Sequence, residues 1–308
     1  GSRAETFVEF VDLAPTVRCL AVIPPSKGMD GTAVLGAYSE ASKMKKKNST
    51  FGYADRFDEK YDLVRTLRVG KYKYIRNYQP FNIDGLFNFY RYKMLAYQEW
   101  EALYNDGKLN AKQRQFFESR GPEGLYDIDQ DPHEVNDLSA SPEHQEILAQ
   151  MRKQLQEKLL LLPDLSFYPE PYLLDHAPDN PVVFGQNNKD KIKELMQVAD
   201  LNLSRFEEVQ EKINQALKDD NPWKRYWGLV VCTSFGEKAK SLVPQIKNLL
   251  EQDDENLVRT RALEYLLLNQ ESVDHRIVDT LLKNAKSETE ANLILNSLAL
   301  VKSSRPQL

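Results

Sequence analysis

The strongest constraint on this sequence is an internal repeat near its C-terminal end. The segment from Asp219 to Leu229 is matched 34 positions later by the segment from Asp253 to Leu263. Apolar positions upstream of each copy correspond at an offset of 33. Repeats of this length are typical of arrays in which antiparallel helix pairs stack and bury a core only through their neighbours. The sequence therefore predicts an all-α repeat domain over 189–308.

Each of the two copies carries an acidic turn followed by an arginine. Asp219 precedes Arg225, and Asp253 precedes Arg259 at the same spacing, whereas a third copy near 277–298 has no such arginine. We expect the arginine of one unit to pair with the acidic turn of a neighbour. In this respect the segment resembles HEAT-type repeats. Binding of a protein partner is one function that such repeats could serve.

A proline-rich segment separates this region from the rest of the chain. Five prolines fall between positions 163 and 181, which favours a stiff, extended linker. A length of 308 residues also favours more than one domain. We therefore predict three parts, with boundaries at 1–162, 163–188 and 189–308.

The first part carries a β-hairpin signal. Two alternating runs flank Gly70, the first with Leu63, Arg65 and Leu67 and the second with Tyr72, Tyr74 and Arg76. Shorter patterns predict a helix over 12–23, a strand over 125–128 and a turn into helix at 131–134, where Asp131 precedes Pro132. Together these patterns predict an α+β protein with a small antiparallel sheet and flanking helices, followed by the helical repeats.

The charge of the chain is unevenly distributed. The whole sequence has a net charge of −5, but 43–76 contains eleven basic and four acidic residues, a net of +7. A positive region attracts anions such as phosphate, nucleic acid or sulfated sugars. The alternative is a solvated basic strand face. No nucleic-acid recognition motif accompanies the region, so a nucleic-acid partner is not expected.

No set of residues in the sequence has the pattern of a catalytic or metal centre. The two cysteines, Cys19 and Cys232, lie in apolar helical segments far apart and are interpreted as buried structural thiols. The four histidines have no metal-ligand spacing. No apolar run is long enough for a membrane span. We therefore predict no metal site, no catalytic residue and no membrane span in this chain.

The most site-like segment runs from Tyr53 to Asp62. It mixes acids, bases and aromatic residues immediately before the hairpin, a composition suited to a polyhydroxylated, anionic ligand. An internal network of salt bridges that holds a loop explains the same residues equally simply. Sequence reasoning alone leaves both interpretations open.

Several segments resemble, in order, the C-terminal half of type I (arylsulfatase-like) sulfatases. They are Phe7–Thr16, Asp55–Arg65, Lys71–Tyr78 and, most specifically, Leu125–Leu138 with Asp131-Pro132-His-Glu134 and Asn136-Asp137-Leu138. Asp137 stands where the family more often has asparagine. The resemblance covers about residues 5–162. Within the family, these segments most resemble the sulfatases and sulfamidases of glycosaminoglycan breakdown, some of which carry a HEAT-like tail.

This resemblance implies a hydrolase of sulfate esters or N-sulfates on a carbohydrate such as glycosaminoglycan. It implies substrate contacts from Asp55, Arg56 and Glu59, with Arg65 and Lys73 as lesser ones. In the family, the nucleophile is a formylglycine made from Cys-x-Pro-Ser-Arg and lies beside a Ca²⁺. The sequence has no such motif, so we expect the formylglycine and Ca²⁺ in a missing N-terminal part, and no activity from this chain alone.

Two functional hypotheses follow. The first is the C-terminal portion of a periplasmic or secreted sulfatase. The resemblance alone implies that location, since the sequence itself shows no signal segment. The second is a non-enzymatic protein-interaction module built on the repeats. An upstream reading frame with the Cys-x-Pro-Ser-Arg motif discriminates between them.

Overall fold

The computed structural model describes residues 6–39 and 47–304, and its first half contains one four-stranded sheet. The strands are β1 (Ser49–Phe57), β2 (Lys60–Val69), β3 (Tyr72–Asn77) and β4 (Glu123–Asp127), in the spatial order β1-β2-β3-β4. The backbone pairs Asn77 N with Pro122 O and Ile128 N with Lys71 O, so β3 and β4 are antiparallel. With the helices that follow, this confirms the predicted α+β class.

The helices occupy most of the remaining chain. The first five are α1 (Leu13–Leu20), α2 (Phe89–Tyr92), α3 (Leu95–Asn105), α4 (Ala111–Arg114) and α5 (Gln145–Leu161). They are followed by α6 (Glu170–His176), α7 (Pro181–Asn187), α8 (Lys189–Ala199), α9 (Phe206–Ala216), α10 (Pro222–Phe235), α11 (Val243–Gln252), α12 (Asn256–Leu268), α13 (Arg276–Lys283) and α14 (Glu288–Ser304). None of the helices within 6–39 and 47–304 combines the length and apolar character needed to cross a bilayer.

The predicted hairpin is formed by β2 and β3. Gly70 has φ +54°, a backbone conformation that glycine adopts without a steric cost. Leu63 and Leu67 are buried on one face of β2, and Tyr74 is fully buried on β3. Alternation about one glycine therefore placed the hairpin correctly.

Strand β1 lies outside the hairpin that the sequence predicts, in a region whose residues 53–62 the sequence marks only as site-like or as a loop held by salt bridges. The structure makes 49–57 an edge strand and turns the chain at Asp58, which has φ +51°. β1 has no fully buried residue. An edge strand of this kind shows no strict alternation of apolar and polar residues, so the pattern used to find strands was missing.

Two other local predictions are corrected. The segment 163–188, expected to be extended, contains α6 and α7, and Phe167 and Tyr168 are buried there. The helix expected after Asp131 is absent, and Glu134 instead has φ +54° in a turn. In both places proline starts or closes a short helix or turn, rather than extending the chain.

Successive helix pairs form the C-terminal part of the chain, as the repeat predicted. Arg225 on α10 donates to both carboxylate oxygens of Asp253, with Nε to Oδ2 at 2.7 Å and a second guanidinium nitrogen to Oδ1 at 2.9 Å. This confirms the expected pairing of a repeat arginine with the next acidic turn. The assignment to HEAT-type repeats stays a prediction.

The chain forms two compact units. The first comprises Gly1–Tyr53, Arg65–Ile75 and Gly124–Leu155. The second comprises Ala54–Val64, Arg76–Glu123 and Gln156–Leu308, and its core includes Trp227, Leu229 and Val230. The predicted division at 1–162, 163–188 and 189–308 stays a prediction.

Candidate functional site

The three main candidate residues lie on and beside the turn between β1 and β2. Asp55 and Arg56 lie near the end of strand β1, just before its last residue Phe57, and Glu59 is in the turn that leads to β2. The Arg56 guanidinium donates to the carbonyl oxygens of Asp58 and Glu59, both at 3.3 Å. The turn between β1 and β2, in the second unit, therefore brings together the predicted residues Asp55, Arg56 and Glu59.

Arg56 is bound by an acid from a distant part of the chain. Its Nε donates to Oε1 of Glu170 at 2.8 Å, and a second guanidinium nitrogen donates to Oε2 of the same carboxylate. The hydrogen bonds that Arg56 donates to Glu170 raise the pKa of Arg56 above its ordinary value, although burial works in the opposite direction. The Glu170 carboxylate thus already binds the guanidinium nitrogens of Arg56 that would contact a substrate anion.

The two acids of the candidate site also have partners. Ser166 donates its hydroxyl to Oδ2 of Asp55 at 3.0 Å. The backbone N–H of Phe89 donates to Oε1 of Glu59. Of the internal salt-bridge network that the sequence left as an alternative, the structure shows the ion pair of Arg56 with Glu170, while Asp55 and Glu59 accept hydrogen bonds from uncharged groups. Binding of a sugar by these residues stays a prediction.

Arg65 and Lys73 belong to the first unit. Arg65 is buried, and its guanidinium carbon lies 5.9 Å from the centre of the Tyr53 ring. Lys73 donates to both carboxylate oxygens of Glu134, at 2.6 and 2.7 Å. Their predicted roles in substrate binding also stay predictions.

Internal acids neutralise much of the basic stretch over 43–76. Ion pairs join Lys47 to Glu9 and Asp12, Lys71 to Asp127, Lys73 to Glu134 and Arg76 to Asp200. Burial lowers the pKa of Lys60, against the opposing effect of nearby acids. Lys43, Lys45 and Lys46 lie outside the described residues. Sequence reasoning counted charges along the chain, whereas the paired acids come from distant positions.

The structure adds an aromatic feature that the sequence analysis did not single out. Phe57, Phe87, Phe89 and Tyr90 are all exposed, and Phe89 contacts Glu59 through its backbone. The run Phe87-Asn88-Phe89-Tyr90 was the available signal. Aromatic side chains that remain exposed together are typical of binding surfaces.

A cleft in the second unit has a volume of about 330 Å³. Its lining includes Phe81, Arg120, Asn202 and Phe235, and none of the five predicted site residues. Within 6–39 and 47–304, no group of three or more His, Cys, Asp or Glu side chains is arranged to hold a metal ion.

Part of the chain is similar in sequence to a known sulfatase. No family model matches the chain. An ulvan-active sulfatase from Formosa agariphila is 37% identical over 169 residues, which cover 54% of this chain and 28% of the relative. The chain therefore spans little more than a quarter of that relative's length.

Two solved sulfatase structures also match part of the chain. One is a putative sulfatase from Bacteroides thetaiotaomicron, with 20% identity, 48% of this chain and 24% of that chain covered, and a TM-score of 0.28. The other is a 2-O GAG sulfatase, with 19% identity, the same two coverages and the same TM-score. The resemblance to the sulfatase family is confirmed, since about half of this chain is homologous to part of a sulfatase.

Proposed function

We propose that this chain is the C-terminal portion of a sulfatase that hydrolyses sulfate esters or N-sulfates of a sulfated polysaccharide. The observation that carries the proposal is the 37% identity to an ulvan-active sulfatase. Glycosaminoglycan, the substrate that the family resemblance implies, is a second candidate. A periplasmic or secreted location suits a polymeric substrate of this kind.

In the sulfatase family the reaction needs a formylglycine nucleophile and a bound Ca²⁺, and the motif that supplies the nucleophile is missing from this sequence. Cys-x-Pro-Ser-Arg does not occur in the 308 residues. Both cysteines are buried, and burial raises the pKa of the Cys232 thiol far above its ordinary value. The formylglycine and Ca²⁺ are therefore proposed to come from the remaining part of the enzyme, so the chain alone does not turn over substrate.

An exposed apolar face supports a further packing partner for the first unit. We define the α1 face as Phe10, Leu13, Val17 and Leu20, of which Phe10 is 91% exposed. Soluble proteins seldom leave such a contiguous apolar surface open to water. Because the relative is more than three times as long as the matched segment, we propose that the catalytic part of the sulfatase covers this face.

The test compares the 308-residue chain with the product of the whole reading frame. Both are assayed for release of sulfate from nitrophenyl sulfate, ulvan and glycosaminoglycan oligosaccharides. We expect turnover only from the longer protein, and its loss when the cysteine of the upstream Cys-x-Pro-Ser-Arg motif is replaced by alanine. Turnover by the chain alone, or a reading frame without that motif, would overturn the proposal.

A further inference from the structure

Four aromatic side chains at or near the β1–β2 turn are exposed to solvent. We define the aromatic platform as Phe57, Phe87, Phe89 and Tyr90, which are 58%, 48%, 60% and 64% exposed. All four lie in the second unit. Phe89 is anchored at the β1–β2 turn because its backbone N–H donates to the Glu59 carboxylate. Phe87 also stacks on the Tyr92 ring, with ring centres 5.7 Å apart, so the two most exposed rings, Phe89 and Tyr90, are the candidates for contact with a ligand.

The turn beside the platform is held in one conformation by several elements. Arg56 donates to the carbonyls of Asp58 and Glu59. Asn88 donates its amide to the Asp58 carboxylate at 3.4 Å. Asn296, on α14, donates to the carbonyl oxygen of Glu59. A surface held in this way loses little conformational entropy when a ligand binds.

Polar and charged groups surround the rings. The Asp58 side chain is exposed and can accept hydrogen bonds from hydroxyl groups. The Lys93 ammonium lies 4.2 Å from the centre of the Phe89 ring. In the part of the chain that the structure describes, no carboxylate forms an ion pair with Lys93. The platform therefore combines exposed aromatic rings with a cation at the Phe89 ring and a carboxylate at the adjoining turn.

This combination fits a sulfated saccharide better than a protein. The C–H faces of a sugar ring stack on aromatic rings, its hydroxyls donate to carboxylates, and its sulfate groups pair with an ammonium. A stable protein interface needs about 800 Å² on each partner and a core depleted of charge. Here charged groups lie directly beside the rings.

We infer that the aromatic platform binds sugar rings of a sulfated polysaccharide. Phe89 and Tyr90 stack on the saccharide, Lys93 contacts a sulfate group, and Asp58 accepts a hydroxyl hydrogen bond. This inference rests on the proposed function, because it names where the sulfated substrate is held.

The test measures binding by the full 308-residue chain, without turnover. Isothermal titration calorimetry is carried out with ulvan oligosaccharides, heparin oligosaccharides and unsulfated dextran oligosaccharides. We expect Phe89→Ala or Tyr90→Ala to weaken binding of a sulfated ligand about tenfold, a size typical of removing an aromatic anchor. Phe89→Leu should weaken it similarly, because leucine keeps apolar area but has no flat ring. Tyr38→Ala removes an exposed tyrosine from the first unit and should leave binding unchanged.

A second set of measurements addresses the charge. Lys93→Gln should weaken binding of the sulfated oligosaccharides, reduce its dependence on salt, and leave any binding of dextran unchanged. Urea unfolding curves of each variant verify that the substituted surface residues leave the fold intact.

Three results would overturn the inference. These are no binding by the unaltered chain, no effect of Phe89→Ala and Tyr90→Ala, or full affinity in Phe89→Leu. None of them bears on sulfate release by the whole reading frame, which decides the proposed function separately. Conversely, binding that is lost in Phe89→Ala stands even if the longer protein releases no sulfate.

Discussion

Replacing Arg76 with alanine should destabilise this protein far more than removal of Lys73 from the same strand. The Arg76 side chain is 2% exposed, and its guanidinium donates to Oδ1 of Asp200 at 3.0 Å and to Oδ1 of Asn202 at 2.7 Å. It also donates to the carbonyl oxygens of Asn77 and Pro122, at 2.9 and 2.8 Å. The substitution removes this donor from all four acceptors in a buried site, where Asp200 and Pro122 each keep another donor, from Gln156 and Asn77.

The magnitude follows from the burial of this cluster. Removing one partner of a buried ion pair costs roughly 3–5 kcal/mol, because the other charge and its acceptors lose their compensation. The Lys73–Glu134 pair on the same strand is partly exposed, at 27% and 31%, and such pairs contribute about 0–1 kcal/mol. Lys73→Ala is therefore the matched control.

Urea unfolding followed by tryptophan fluorescence measures both variants. Trp227 is a suitable reporter because it is buried in the second unit, with its ring centre 6.1 Å from that of Tyr78. Arg76→Lys should give an intermediate loss, since a lysine keeps the charge but reaches fewer acceptors. A loss below about 1 kcal/mol for Arg76→Ala, or one equal to that of Lys73→Ala, would refute the reasoning.

Three further predictions follow from buried or paired groups. Arg225→Ala should lower the free energy of unfolding by about 3 kcal/mol, because Asp253 is left buried without its partner, and an unchanged urea midpoint would contradict this. Burial opposes ionisation of Asp12, but hydrogen bonds from Glu9, Lys47 and Thr32 outweigh this effect and lower the pKa of Asp12. The ionised Asp12 carboxylate therefore stabilises the fold above about pH 4, and this contribution disappears as the pH falls through the lowered pKa. In Asp12→Asn, the free energy of unfolding should fall less steeply as the pH is lowered below about 4. An unchanged pH dependence would contradict this role of Asp12. Cys19 and Cys232 are both buried, so neither should react with a thiol reagent until denaturant is added.

Local patterns predicted those parts of the fold that local physics controls. The β2–β3 hairpin follows from alternation around Gly70, and α1 from a short apolar run that ends before Pro24. The repeat placed Arg225 opposite Asp253 because two sequence copies imply one geometry repeated in space. Each of these inferences needed only neighbouring residues or a period.

The candidate site was only partly predictable. The sequence brought Asp55, Arg56 and Glu59 together because they are close in the chain. Their partners Glu170 and Ser166 are more than a hundred positions away. An ion pair depends on where side chains meet after packing, and no local pattern of charge specifies that.

The sequence by itself determined the α+β class, the hairpin, the helical repeat and the likeness to sulfatases. Only the tertiary structure decided which charges are compensated and which aromatic rings stay exposed. Secondary structure and repeats arise from periodic, short-range preferences, whereas burial and ion pairing depend on contacts between distant segments. For that reason at least five of the eight described basic residues in the +7 stretch proved to be paired with acids, while Phe89 and Tyr90 stayed exposed.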